Sequence, residues 1–262
     1  MKRNFTKYHG TGNDFILIDN RKLDFPADQK TISLMCNRRL GVGADGLILL
    51  NPSDDLDFSM RYFNSDGNEG SMCGNGGRCI TAFAAKLGII SREAEFSGID
   101  GTHSSMILPG TPPILNIKLS LMPVQGIKEM DGDLILDTGS PHYVNFKDSI
   151  LDLDVFDEGR KIRKSEAFPE GINVNFAEIL STGSIKLATY ERGVEAEPLS
   201  CGTGVTAAAI AAHHSGRINE QNITVITRGG ELQVSFTAES GHYEDIWLQG
   251  PATEVFTGEY EF

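Results

Sequence analysis

At 262 residues the chain exceeds one average domain and fits two of ordinary size, and 40% hydrophobic residues suffice for a substantial core. A formal net charge of −13 argues against a nucleic-acid surface, which needs clustered Lys and Arg. The opening MKRNFTKYHG lacks the apolar region of a secretory signal, and no apolar run reaches membrane-spanning length, so a cytoplasmic protein without a membrane partner is expected.

Along the first half the pattern is mostly strands. Asn4 to His9 alternates, Phe15 to Asp19 and Leu47 to Leu50 are apolar, and Phe58 to Phe63 leads into a polar turn. Helical patterns run from about Asp28, a candidate N-cap, to Arg39, and from about Gly76 to Leu87 with Gly88 behind it. Ser104 to Leu108 and Ile114 to Leu121 read as a hairpin around Pro109-Gly110-Thr111-Pro112-Pro113.

The second half repeats the style. Leu134 to Asp137, Val174 to Ile179 and Ile185 to Tyr190 are strand-like, while Val155 to Lys164 and about Gly204 to His214 read as helices. Strands return at Ile223 to Thr227, Leu232 to Phe236, Tyr243 to Leu248 and Thr253 to Thr257.

The resemblance between the halves goes beyond style. Cys73-Gly74-Asn75-Gly76 and Cys201-Gly202-Thr203-Gly204 each precede an alanine-rich run that closes at a glycine and an isoleucine. At an offset of 128, roughly a third of the positions from Cys73 to Ile90 are identical, and Tyr62 matches Tyr190. Thr11-Gly12-Asn13 resembles Thr138-Gly139-Ser140 at an offset one shorter. The halves divide near Met122-Pro123, giving 1–122 and 123–262, with the last strand able to pack back on the first half.

In a cytoplasmic protein Cys36, Cys73, Cys79 and Cys201 are expected as thiols. Cys36 lies in an amphipathic helix pattern and reads as a core residue. Cys79 has Ala207 at the matching place, and its C-x5-C spacing from Cys73 misses the usual zinc pattern, so no metal site is expected. Cys73 and Cys201 differ from both in sitting at helix starts, where unpaired backbone N–H groups favour a thiolate. Two such cysteines suit an acid and a base for proton transfer at carbon.

The α-proton of an amino acid is weakly acidic, so its removal needs a place for the charge. No phosphate cradle with a Schiff-base lysine is evident, which leaves electrostatic stabilisation without a cofactor. A substrate carboxylate on N–H donors of Gly74, Asn75, Gly202 and Thr203 would gain charge as the proton leaves, so the donors would bind the transition state more tightly than the ground state.

At these residues the chain closely resembles the diaminopimelate epimerase family, almost end to end. The likeness rests on His9-Gly10-Thr11-Gly12-Asn13-Asp14-Phe15, Gly41-Val42-Gly43-Ala44-Asp45-Gly46, Tyr62-Phe63-Asn64-Ser65-Asp66-Gly67 and the first Cys-Gly-x-Gly. It continues with Pro141-His142, Asn173-Val174-Asn175-Phe176, Tyr190-Glu191-Arg192-Gly193, the second Cys-Gly-x-Gly and Gly250-Pro251-Ala252. The resemblance implies an α+β fold of two pseudo-symmetric domains, each a mostly antiparallel sheet or open barrel wrapped around a central helix.

It also implies conversion of LL-2,6-diaminoheptanedioate to the meso form in lysine and peptidoglycan biosynthesis, with no cofactor. Cys73 and Cys201 match the catalytic cysteines, and His142 and Glu191 match residues that support them. Asn13, Asn64, Asn173 and the pair Glu191-Arg192 match ligand-holding residues, beside the helix starts Gly74, Asn75, Gly202 and Thr203.

Two departures stand out: Ser140 where many members have Asn, and a Gly193–Ser200 segment one residue longer than the commonest version, with Pro198. The partner implied is a small molecule, with a homodimer among the open options. The rivals are a proline racemase-like enzyme with the same two-cysteine logic and, from another class, a thiol redox or ligand-binding protein.

Overall fold

A computed structural model describes residues 2–262, which fall into two compact units: the chain up to Leu119 together with Gly250–Phe262, and Ser120–Gln249. The first unit contains β1 (Lys2–Gly10), β2 (Asn13–Asp19), α1 (Gln29–Cys36), β3 (Gly46–Asn51), β4 (Phe58–Asn64), α2 (Gly74–Lys86), β5 (Glu93–Gly98), β6 (Gly101–Ile107) and β7 (Ile114–Ser120). Its eighth strand is the part of β15 (His242–Glu261) from Gly250 onward, which pairs with β7 on one side and β1 on the other. The sheet therefore closes on itself and leaves no edge.

The second unit contains β8 (Ile127–Met130), β9 (Asp133–Asp137), β10 (Pro141–Phe146), α3 (Val155–Arg163), β11 (Asn173–Ser181), β12 (Ser184–Tyr190), α4 (Gly202–His214), β13 (Asn222–Thr227) and β14 (Gly230–Glu239), with β15 up to Gln249. Its strands run in the order β8-β9-β10-β11-β12-β13-β14-β15, and a bridge from Val124 to Tyr243 ties the segment before β8 to β15.

The duplication is topological as well as sequential. In the first unit β2–β3 and β4–β5 are parallel and the remaining neighbours antiparallel; in the second, β10–β11 and β12–β13 are the parallel pairs. α1 and α3 occupy the first crossover of their units, α2 and α4 the second. The fold is thus two pseudo-symmetric α+β units.

Each sheet wraps a helix made of small residues. α2 is buried from Gly74 to Ala84, and in α4 every residue from Gly204 to Ala212 is buried. A helix apolar around its circumference belongs inside a core, and alanine and glycine keep it thin enough to be enclosed. A Cβ on Gly77 would stand 2.7 Å from Leu119 Cδ2, so the sheet approaches where side chain is missing.

Boundaries shift where backbone geometry overrides pattern. Both central helices begin two residues earlier than the alanine periodicity predicts, at Gly74 and Gly202, which makes Cys73 and Cys201 their N-caps. α1 stops at Cys36, short of Arg39, because Asn37 turns extended with φ −65° and ψ 123°. Short β5, β8 and β10 go unpredicted; β10 opens on Pro141, which a strand tolerates as its first residue. The two strands expected around Gly250-Pro251 are one, β15.

Candidate active site

In the first unit the β1–β2 hairpin brings Asn13 to the start of α2. Gly10 pairs with Asn13 across a two-residue loop in which Thr11 and Gly12 both take positive φ, 48° and 88°. That is the conformation whose twist matches flanking strands, and Gly12 adopts it without steric cost. Thr11 is held there from the helix side: its Oγ1 lies 3.5 Å from Arg78 Nη2 and 3.4 Å from Asn75 Oδ1.

Asn13 is clamped. Its Nδ2 donates to Asp45 Oδ2 at 2.8 Å, and its Oδ1 accepts from Asn75 Nδ2 at 3.2 Å and from Cys73 Sγ at 3.6 Å. Arg78, fully buried, fixes Asn75 from behind by donating to Asn75 Oδ1 at 2.8 Å, and it also donates to the Gly74 carbonyl at 3.1 Å. Burial lowers its pKa to about 10, so it stays charged at neutral pH. Asn64 stands at the exposed end of β4 as acceptor of the Tyr62 hydroxyl at 2.9 Å.

In the second unit the β9–β10 turn delivers Thr138 and Ser140 to the start of α4. Thr138 Oγ1 donates to the Thr203 carbonyl at 2.9 Å, and Ser140 Oγ lies 3.4 Å from Thr203 Oγ1. Thr203 Oγ1 in turn lies 3.5 Å from Cys201 Sγ. Behind Ser140 stands His142, fully buried, with Nε2 at 3.1 Å from Ser140 Oγ and Nδ1 at 3.0 Å from Asn175 Nδ2. Desolvation first, and then the Arg192 charge, pull His142 down to about 3, so the ring is neutral.

Asn173 spans the same cluster. Its Nδ2 donates to Ser140 Oγ at 3.1 Å and to the Pro141 carbonyl at 3.3 Å, and its Oδ1 accepts from the Arg192 backbone at 2.8 Å. Glu191, next to Arg192 in the chain, pairs through its backbone with Ala196 at 3.0 Å.

The two cysteines share a backbone conformation: φ −117° and ψ 114° at Cys73, φ −118° and ψ 109° at Cys201. Neither side chain caps its helix, so the first-turn N–H groups have no intrahelical acceptor and point where an anion would sit. None of the four cysteines is in a disulfide; burial raises Cys36 to about 12 and pushes Cys79 higher still, which leaves both unreactive. Among the described residues no cluster of His, Cys, Asp or Glu could hold a metal ion.

The structure thus brings Asn13, Cys73, Gly74 and Asn75 together in one unit, and His142, Asn173, Arg192, Cys201, Gly202 and Thr203 in the other. Sequence reasoning missed Asp45, Arg78 and Asn175. Arg78 had a signal, a lone cation in an apolar helix; Asn175 is a polar residue in a run of buried ones.

The fold itself is one that solved structures share. The fold is shared over the whole chain by a phenazine biosynthesis protein of the PhzF family from Bacillus anthracis, with a TM-score of 0.78 at 14% identity and 100% of both chains covered. A hydroxyproline epimerase from Agrobacterium vitis matches with a TM-score of 0.71 at 14% identity, over 98% of this chain and 92% of that one. Identities this low carry the fold alone.

Sequence similarity narrows the class. The sequence model of the family "Diaminopimelate epimerase" matches residues 5–98 and 134–255. A diaminopimelate epimerase of Flavobacterium psychrophilum is 48% identical over 95% of this chain and 97% of its own, and one of Chlorobaculum tepidum is 40% identical over 95% and 98%. The chain belongs to the diaminopimelate epimerase family and is an isomerase.

Proposed function

We propose that this chain interconverts LL- and meso-2,6-diaminoheptanedioate by proton transfer between two cysteines, Cys73 and Cys201. The substrate and the epimerisation rest on the family. The observation that carries the mechanism is the pair of matching N-caps, each a cysteine at the head of a buried helix that its side chain does not cap.

The step balances without a cofactor. A cysteine thiolate takes the α-proton: the C–H bond breaks, an S–H bond forms, and the electron pair passes to the α-carbon and its carboxylate. The other cysteine, as thiol, gives its proton to the other face of that carbon, which inverts it. Donors at Gly74, Asn75, Gly202 and Thr203 would hold the carboxylate and bind it more tightly as charge accumulates. Asn13, Asn64, Asn173, Glu191 and Arg192 would hold the ligand's remaining amino and carboxyl groups, and His142 would act through its neighbours.

No helix among the described residues is long and apolar enough to cross a membrane, and the reaction suits a cytoplasmic enzyme of amino-acid biosynthesis acting on a small molecule. Turnover of either stereoisomer in heavy water is the test. Deuterium is expected at the inverted α-carbon of the product; its absence, or full epimerisation by Cys73→Ala, would overturn the two-cysteine reading.

A further inference from the structure

The hydrogen bonds behind Cys201 have a direction, which can be worked out from fixed points. Asn175 Nδ2 donates to the Tyr143 carbonyl at 3.1 Å, and Asn175 Oδ1 accepts from Thr189 Oγ1 at 3.0 Å. A carbonyl only accepts, so the amide cannot be turned over, and its second hydrogen points at His142 Nδ1. His142 is neutral because it is buried, so its single ring hydrogen sits on Nε2 and is donated to Ser140 Oγ.

Ser140 Oγ is also an acceptor from Asn173 Nδ2, an amide oriented by the Pro141 carbonyl and the Arg192 N–H. Both lone pairs of the serine oxygen are then occupied. Its own hydrogen can go only outward, to Thr203 Oγ1. Thr203 has likewise one hydroxyl hydrogen, and with its oxygen accepting from Ser140 that hydrogen faces Cys201 Sγ.

We propose that Ser140 and Thr203 form a hydroxyl relay that delivers a hydrogen-bond donor to Cys201 Sγ and holds Cys201 as a thiolate ready to take the α-proton. Both are positioning residues: they act on the sulfur, and the sulfur acts on the substrate. The inference rests on the two-cysteine reading. A hydrogen bond to a charged acceptor is stronger than one to a neutral acceptor, so a fixed donor shifts the thiol–thiolate balance toward the anion. The titratable and charged groups of this unit placed around the relay are Asp137 before the β9–β10 turn, whose Oδ1 accepts from the Gly139 N–H, His142 on β10, and Glu191 and Arg192 past the end of β12.

The relay depends on this chain's own Ser140. A hydroxyl has one hydrogen, so its direction is dictated by what occupies its lone pairs; an amide at the same place would present a fixed donor face or a fixed acceptor face. Serine couples the histidine to the threonine through a single oxygen.

The test uses the full chain and the ultraviolet absorbance of the thiolate, titrated for each variant against the same variant carrying Cys201→Ala so that the difference belongs to Cys201. Thr203→Val keeps the β-branched shape without the hydroxyl, and Ser140→Ala interrupts the relay one step further back. Each should move the Cys201 titration up by about one to two pH units, which lowers the ratio of thiolate to thiol at a given pH by roughly ten- to a hundredfold. Turnover number should fall with it more than KM rises, and Thr203→Ser should restore both.

Should Thr203→Val fail to fold, Ser140→Ala carries the same prediction. An unchanged Cys201 titration in either folded variant, with Cys201→Ala inactive, would overturn the relay and leave the two-cysteine reading standing. Full epimerisation by Cys201→Ala would instead remove that reading itself.

Discussion

Cys73 and Cys201 head helices with the same backbone, yet the side chains around the two sulfurs have opposite polarity. At Cys73 the neighbour is an amide oxygen, Asn13 Oδ1, turned that way because Asp45 claims the amide hydrogens. An acceptor there suits a thiol, which can donate to it. At Cys201 the neighbour is a hydroxyl, Thr203, backed by Ser140 and a buried neutral histidine. A donor there suits a thiolate. Two-base epimerisation needs one group in each state at the start of a turnover, and duplication alone would have produced two equal sulfurs. On the two-cysteine reading proposed above, the repeated backbone would supply the anion-binding geometry, while the diverged side chains would decide which sulfur begins with the proton.

The strongest way to break the comparison is to remove the sulfurs one at a time. Cys73→Ala and Cys201→Ala should each cut turnover by roughly 10²–10⁴-fold, the usual worth of a general acid or base, as measured by stereochemical analysis of the product. Unequal losses would show how far the two roles are separable.

A smaller effect is expected from the glycines one turn inside. A Cβ at Gly204 would stand 2.5 Å from Asn175 Oδ1, an amide already fixed by three hydrogen bonds, whereas one at Gly76 would meet the movable end of Ile48 at 2.9 Å. Gly204→Ala should therefore cost about 1–3 kcal/mol in urea unfolding, as overpacking of a rigid core does. Gly76→Ala should be offset by the gain in helix propensity, about 1 kcal/mol, and come out near neutral.

The neutral histidine leaves a signature in stability against pH. Its folded pKa of about 3 lies below the ordinary value of 6.5, so between those limits the unfolded chain binds a proton that the folded chain refuses. The contribution of His142 is fully present above 6.5 and is lost as pH falls toward 3, at up to about 1.4 kcal/mol per pH unit. Urea midpoints between pH 7 and acid should fall less steeply in His142→Gln than in the parent chain. The first unit has no matching histidine, since the aligned position is Phe15.

The smallest effect should come from Asp45. It is nearly half exposed and lines an open concavity of about 600 Å³ with Arg38, Ala44 and Ser65, so water can replace part of its role. Asp45→Asn releases the amide of Asn13 to rotate, and it should raise the thiolate fraction at Cys73 by no more than about fivefold in a thiolate titration.

Much of the architecture is legible in the chain. Alternation and apolar runs mark most strands, Asp28 is the N-cap of α1 with Thr31 N–H bonded to its carboxylate, and the Cys-Gly-x-Gly repeats mark both central helices. Short strands such as Glu93–Gly98 are harder to see because EAEFSG carries only two apolar residues, and their stability comes from neighbours on both sides. Among site residues, those within the repeated motifs stand out. Asp45, Arg78 and Asn175 do not, because what they do is orient another side chain, and that is a matter of distance across elements.

The sequence by itself determined the duplication, the two cysteines at helix starts and the small-residue helices that a closed sheet can enclose, all of which follow from local spacing and side-chain volume. Only the tertiary structure decided the direction of each hydrogen bond. Whether Asn13 offers oxygen or nitrogen to Cys73, and whether Thr203 gives or takes a hydrogen at Cys201, depends on carbonyls and carboxylates that the fold brings from distant strands. Those fixed acceptors give two nearly identical helix starts their opposite polarity.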